Sequence, residues 1–103
     1  MSINTDVTVI VVTYNSAHCI ARLAEGLQHH DSIIFVDNAS ADDTVVQINQ
    51  HLPHAIVIAQ KRNLGFGAAN NAALAQVKTP YVWFFGALFT LFDFMLTDQT
   101  IDF

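Results

Sequence analysis

The sequence predicts an α/β domain: a mainly parallel sheet held between helices in three layers. Three observations predict it. Residues 7–13 read Val-Thr-Val-Ile-Val-Val-Thr, apolar on both faces and rich in branched side chains, as a strand buried on both sides of a parallel sheet reads. Similar short runs recur at 32–36, 55–59 and 81–85, separated by stretches with helical character, the alternation that builds parallel sheets with right-handed crossovers. The polar residues collect just after these runs, at the carboxyl edge where open α/β sheets bind ligands.

The totals narrow the function classes. A chain of 103 residues suggests one small domain, and 52% hydrophobic residues are enough to bury a core. With a net charge of -5 and Lys61-Arg62 as the only adjacent basic pair, nucleic acid is excluded as a partner, because phosphate backbones are held by clustered Lys and Arg. Cys19 is the only cysteine, so no intrachain disulfide forms, and a reducing compartment fits best. The opening Met-Ser-Ile-Asn-Thr-Asp lacks the character of a signal peptide. The expected location is the cytoplasm, including peripherally the inner face of the membrane. The apolar run 81–92 is closed by Asp93, short of the roughly 18 residues of a membrane-spanning helix.

The first strand, 7–13, ends in Thr13, Tyr14 and Asn15, which therefore stand at the mouth of any site. Ser16 is placed to cap the next helix, where Ile20, Leu23, Ala24 and Leu27 recur at helical spacing and face the sheet. His29-His30-Asp31 closes it. Adjacent side chains on a helix diverge, so these histidines read as a solvated end rather than a metal site.

The second strand, 32–36, runs into Asp37-Asn38-Ala39-Ser40-Ala41-Asp42-Asp43-Thr44. Ser40 followed by Asp43 reads as an acidic variant of the capping box, with Asp42 and Asp43 in the first helical turn. Asp37 is different, because it stands at the strand's end. It is suited to accept hydrogen bonds from a base imide or a ribose hydroxyl, or to serve as an Asx-type turn residue.

The second helix spans about 42–51, anchored by Val45, Val46 and Ile48, and Pro53 prevents its continuation. After the third strand, 55–59, comes Gln60-Lys61-Arg62-Asn63-Leu64-Gly65-Phe66-Gly67-Ala68-Ala69-Asn70-Asn71. Gly65 and Gly67 permit a tight turn or a close approach. Arg62 offers a planar fork to phosphate. The helix that follows, to about residue 77, presents N–H groups to anions. A dinucleotide fingerprint belongs at the first strand-to-helix turn. That turn carries no glycine here, which argues against a domain of the NAD type. Asn70 reads either as a ligand contact or as an exposed amide. The fourth strand, 81–85, is aromatic, as strands favour, and residues 86–103 show no clear period.

Three blocks now carry a resemblance: Val9-Ile10-Val11-Val12-Thr13-Tyr14-Asn15; Val36-Asp37-Asn38-Ala39-Ser40 with Asp42 or Asp43 and Thr44; and Arg62-Asn63-Leu64-Gly65-Phe66-Gly67-Ala68-Ala69-Asn70-Asn71. Together they resemble the family 2 glycosyltransferases, the third block looking most like the rhamnosyltransferase-like branch. The resemblance covers about residues 6–85. It implies a Rossmann-like, GT-A-type nucleotide-sugar-binding fold and inverting transfer of a sugar from a nucleoside-diphosphate donor to an acceptor of the cell-surface polysaccharide type. By the same resemblance, Thr13 and Tyr14 line the base pocket with Asn15 beside them. Asp37 bonds the base or ribose; Arg62, Asn63, Gly65, Phe66 and Gly67 approach the ribose and phosphates; Asn70 supports or contacts the donor. A Thr–Tyr pocket with Asp37 suits a pyrimidine imide, uridine or thymidine.

The departure from the family falls after the fourth strand. There the family has an acidic motif whose carboxylate holds Mg²⁺ or Mn²⁺ on the diphosphate; here stand Gly86-Ala87-Leu88-Phe89. The expectation is therefore no metal site, and no assignable catalytic residue. Residues 1–85 read as a nucleotide-sugar-binding half domain and 86–103 as an atypical aromatic tail, the product of a truncated or frame-changed gene. Three functions follow: a chain that binds donor without completing transfer; an active transferase using Asp93 or Asp98; or a non-catalytic interaction module assembling through its aromatic tail. An unfinished sheet edge and four tail phenylalanines (Phe89, Phe92, Phe94, Phe103) also predict a homodimer or larger assembly.

Overall fold

The computed structural model describes residues 6–84 and the backbone of 87–90. Four strands run parallel: β1 (Val7–Thr13), β2 (Ser32–Asp37), β3 (Ile56–Ala59) and β4 (Tyr81–Phe84). A fifth, β5 (Ala87–Thr90), pairs antiparallel with β4, so the sheet order is β3-β2-β1-β4-β5. The helices are α1 (Ala17–Leu27), α2 (Thr44–His51) and α3 (Phe66–Leu74). The α/β fold and its mainly parallel sheet are as the sequence predicts. The sequence offers no period after residue 86, yet the backbone adds β5 there. Beyond residue 90 lie Phe92, Asp93, Phe94, Asp98 and Phe103, outside the described residues with most of the tail.

The strand periodicity sorts the core into two halves. Val7, Val9 and Val11 of β1 and Ile33 and Phe35 of β2 point to one face, against Ile20, Ala24 and Leu27 of α1 and Ile48 of α2. The alternate residues Ile10, Ile34 and Val36, with Val82 and Phe84 of β4, point to the other, against Ala69 and Ala73 of α3. Both faces are covered, as a parallel sheet requires. The order explains the layering. From β1 through β3 the chain steps one way across the sheet, and right-handed crossovers put α1 and α2 on one face. From β3 to β4 it reverses past two strands, and the same handedness puts α3 on the opposite face. The reversal makes the β1–β4 boundary a topological switch point, where ligands bind beyond the carboxyl ends. Among the described residues no helix is long and apolar enough to cross a membrane.

Several boundaries differ from the sequence reading. α2 begins at Thr44 rather than residue 42, and its buried residues are Thr44 and Ile48. Val46, expected to anchor it, is exposed, and Val45 is half-buried. The cause is local: the Asp42 carboxylate accepts from Thr44 N at 3.0 Å, which delays the helix and sets an i, i+4 pair on the sheet. α3 ends three residues early, closed by short-range bonds from Gln76 N to Ala73 O and from Val77 N to Leu74 O. The His29-His30 end is only partly solvated. His30 packs edge-on against Trp83 with ring centroids 5.8 Å apart, while its carbonyl contacts His54 Nε2 at 2.9 Å.

Ile48 is completely buried, whereas Val46 is half exposed on the same helix. Ile48→Ala is therefore expected to lower stability by about 2–5 kcal/mol, and Val46→Ala by no more than about 0.5 kcal/mol. Urea titration of the two variants measures the difference.

Candidate functional site

The extra residue that β2 takes at its end organises the site. Strand pairing sets Asp37 beside Thr13 on one side and Ala59 on the other, so the first three strand ends share one rim. Asp37 is 2% exposed, and its carboxylate accepts three hydrogen bonds from within the protein. Oδ1 accepts from Thr13 Oγ1 at 2.7 Å and from Ser40 Oγ at 2.6 Å; Oδ2 accepts from Ser40 N at 2.9 Å. The Asx-type role is thus present. Three donors address a group with about four acceptor sites. Thr13 is buried and spends its hydroxyl on Asp37.

Asn38, which the sequence reading did not single out, ties the rim to the third turn. It is 3% exposed; its Nδ2 donates to Gly65 O at 3.2 Å, and its backbone N donates to Thr13 O at 2.9 Å. The signal available in the sequence was its place, a second polar residue after the apolar run 33–36. Gly65 has φ 91° and ψ 168°, a region open essentially to glycine alone. A Cβ there would meet nothing within 4 Å. The glycine answers to backbone conformation, not to close packing. Asn63 Oδ1 accepts from Gly65 N at 2.8 Å and steadies the turn. Phe66 opens α3 with an exposed ring, and Gly67 lies within the helix.

Arg62 is exposed and, with Lys61, Gln60, Ala59 and Leu64, lines a surface cavity of about 560 Å³. A more apolar cavity of about 570 Å³ runs along α1, past Cys19, Leu23 and Trp83. It meets the predicted residues only at Thr13, so the convergent polar groups of the rim mark the site better. Asn70 is buried and donates from Nδ2 to Phe66 O at 3.0 Å; the exposed-amide reading is overturned, because the helix turns this side chain inward.

Three consecutive backbone N–H groups at the start of α1 point at the second turn. Asn15 N donates to Ser40 Oγ at 2.8 Å, Ser16 N to Thr44 Oγ1 at 2.9 Å and Ala17 N to Asp42 Oδ2 at 3.2 Å. Asn15 Oδ1 answers by accepting from Ala41 N at 2.8 Å. This clasp replaces two capping roles expected from sequence. Ser16 holds the position before α1 but turns its hydroxyl back onto Tyr14, and Ser40 bonds Asp37 rather than forming a box with Asp43. Asp43 instead accepts from Gln47 Nε2 at 3.2 Å. Two residues in the clasp region adopt left-handed backbone, Asn15 (φ 48°) and Ala39 (φ 61°). For alanine this costs about 1–2 kcal/mol, which the surrounding bonds offset.

The clasp has a chemical consequence. Successive N–H groups at a helix start ordinarily make an anion site. Here the protein's own side chains take the N–H groups of Asn15, Ser16 and Ala17, so this turn has fewer donors to offer a phosphate than a dinucleotide domain has. Tyr14, in the turn just before α1, is 54% exposed. Among the described residues no group of three or more His, Cys, Asp or Glu could hold a metal ion. These residues do not fit the Mg²⁺ or Mn²⁺ that the resemblance implies.

Residues 8–87 match the family described as Glycosyl transferase family 2. The chain belongs to that family. A search of curated proteins finds no match. Among solved structures the chain is similar to glucosyl-3-phosphoglycerate synthase from Mycobacterium tuberculosis. In its complex with uridine diphosphate, the TM-score is 0.62 at 22% identity, over 74% of this chain and 31% of that one. In its complex with Mn²⁺, uridine diphosphate and glucosyl-3-phosphoglycerate, the TM-score is 0.64 at 22% identity, over 76% and 32%. A further mycobacterial protein gives 0.63 at 19% identity, over 74% and 29%. The chain thus spans about a third of the length of these structures. At such identity the likeness establishes the fold.

Asp42 is held below the usual carboxylate range, chiefly by the hydrogen bond from the Thr44 hydroxyl; desolvation opposes this, and the backbone N–H groups of Ala17 and Thr44 add to the lowering. A carboxyl depressed in the folded state contributes stability that is present above its unfolded value, roughly pH 4, and is lost as pH falls through the folded value. Asp42→Asn removes that acid-side loss. The difference between wild-type and D42N melting temperatures is expected to shrink as pH falls below about 4, as a pH series of melts measures.

Proposed function

We propose that this chain binds a nucleoside-diphosphate sugar on the rim formed by β1, β2 and β3 and serves the donor side of a glycosyl transfer. The observation that carries the reading is the exposed Tyr14, at the carboxyl end of β1 in a turn whose N–H groups at residues 15–17 are taken by side chains. Such a turn suits a flat base rather than a phosphate. Asp37 has one acceptor site beyond its three donors for a base imide or ribose hydroxyl. Arg62 and the turn 63–67 are the phosphate side, and Asn70 supports them from within α3.

The third block supports placement in the rhamnosyltransferase-like branch, with a uridine or thymidine donor and a cell-surface polysaccharide acceptor. Uridine diphosphate in the mycobacterial synthase agrees with a pyrimidine. We read residues 1–85 as the donor-binding part, working in the cytoplasm or peripherally at the inner face of the membrane. The chain acts as a homodimer or larger assembly, an idea supported by β3, an uncharged Ile-Val-Ile-Ala edge strand with Ile56 45% exposed. Light scattering at micromolar concentration tests this, and a clean monomer overturns it.

Calorimetric titration with UDP and with dTDP, each with and without Mn²⁺, tests the donor reading. The expected result is binding that does not depend on the metal. Tyr14→Ala should weaken it about tenfold, since base stacking on an aromatic ring is worth ~1–3 kcal/mol. Absence of binding by either nucleotide would overturn the reading.

A further inference from the structure

The hydroxyl of Thr44 is fully enclosed, with Thr44 0% exposed. It donates to the Asp42 carboxylate, which as an anion only accepts, and so its lone pair is left to receive the N–H of Ser16 at 2.9 Å. Ser16 in turn brackets Tyr14: its Oγ accepts from Tyr14 N at 3.2 Å and donates to Tyr14 O at 3.1 Å. A continuous relay therefore runs from the start of α2 to both backbone polar groups of Tyr14. No other side chain in the relay is both buried and directional. A second tether, from Asn15 N to Ser40 Oγ, holds the residue after Tyr14 without reaching Tyr14 itself.

From this geometry we propose that Thr44 is a positioning residue for the Tyr14 ring, resting on the donor-binding reading above. It fixes the first turn before a nucleotide arrives, so the ring is presented at one height over the rim. Ordering the turn in advance spares the nucleotide the cost of ordering it on binding, which is how such preorganisation raises affinity. Asp42 holds the proton direction of the Thr44 hydroxyl; it acts through Thr44 and not on the ligand.

The test compares Thr44→Val, Thr44→Ser and Ile48→Val by UDP calorimetry, with thermal melts of the same samples. Thr44→Val keeps the shape and removes the relay. It is expected to weaken UDP roughly fivefold, the scale of one net hydrogen bond. Thr44→Ser restores the hydroxyl and should restore wild-type affinity. Ile48→Val removes a methyl group beneath the same helix and should lower the melting temperature with UDP affinity unchanged. Equal affinity in Thr44→Val and Ile48→Val, at whatever melting temperatures, would overturn the positioning role while leaving donor binding intact. If wild type fails to bind UDP or dTDP, the donor reading fails first and this role falls with it.

Discussion

The structure depends most on how two successive strand-to-helix turns satisfy each other's backbone. Asn15, Ser16 and Ala17 would leave three N–H groups exposed at the start of α1; the side chains of Ser40, Thr44 and Asp42 take all three. Two carboxylates stand behind the hydroxyls: Asp37 receives the Ser40 proton and Asp42 the Thr44 proton. Because an ionised carboxylate has no proton to give, both relays have a fixed direction. The first turn is thereby locked to the second, and Tyr14 is left as its exposed projection.

That lock also divides labour around the rim. With the N–H groups of residues 15–17 taken by side chains, the proposed phosphate contacts fall to the third turn. There Arg62 and Lys61 line a cavity, and Gly65 adopts a backbone available essentially to glycine. Asn38 joins the two regions by holding Gly65 O, so the third turn is referenced to the same buried strand end as the first. The first and third turns are thus held by one hydrogen-bonded frame, although they are far apart in sequence.

The site residues were legible in unequal measure. Tyr14, Asp37 and Arg62 stand out because each follows an apolar run, and strand ends are where such sheets work. Asn38 and Thr44 were hidden. Asn38 reads as a turn residue until β2 is seen to reach Asp37, and Thr44 reads as an ordinary first-turn residue until the helix start moves to it. The capping expectations for Ser16 and Ser40 failed because each hydroxyl bonds backward along the chain, Ser16 onto Tyr14 and Ser40 onto Asp37, while Ser40 also receives the distant Asn15 N.

By itself the sequence determined the α/β class, the four parallel strands and the two-sided core, because runs of branched residues apolar on both faces, alternating with helical stretches, are local properties that any fold of this chain must satisfy. It also determined family membership, through three blocks in order. Only the tertiary structure decided the strand order, the antiparallel β5 and the hydroxyl relays between turns. Those depend on which strands become neighbours and in what register, and a one-residue difference at the end of β2 brings Asp37 level with Thr13. Sequence periodicity specifies faces; register brings particular atoms within 3 Å of each other, and the chemistry of this rim is set at that distance.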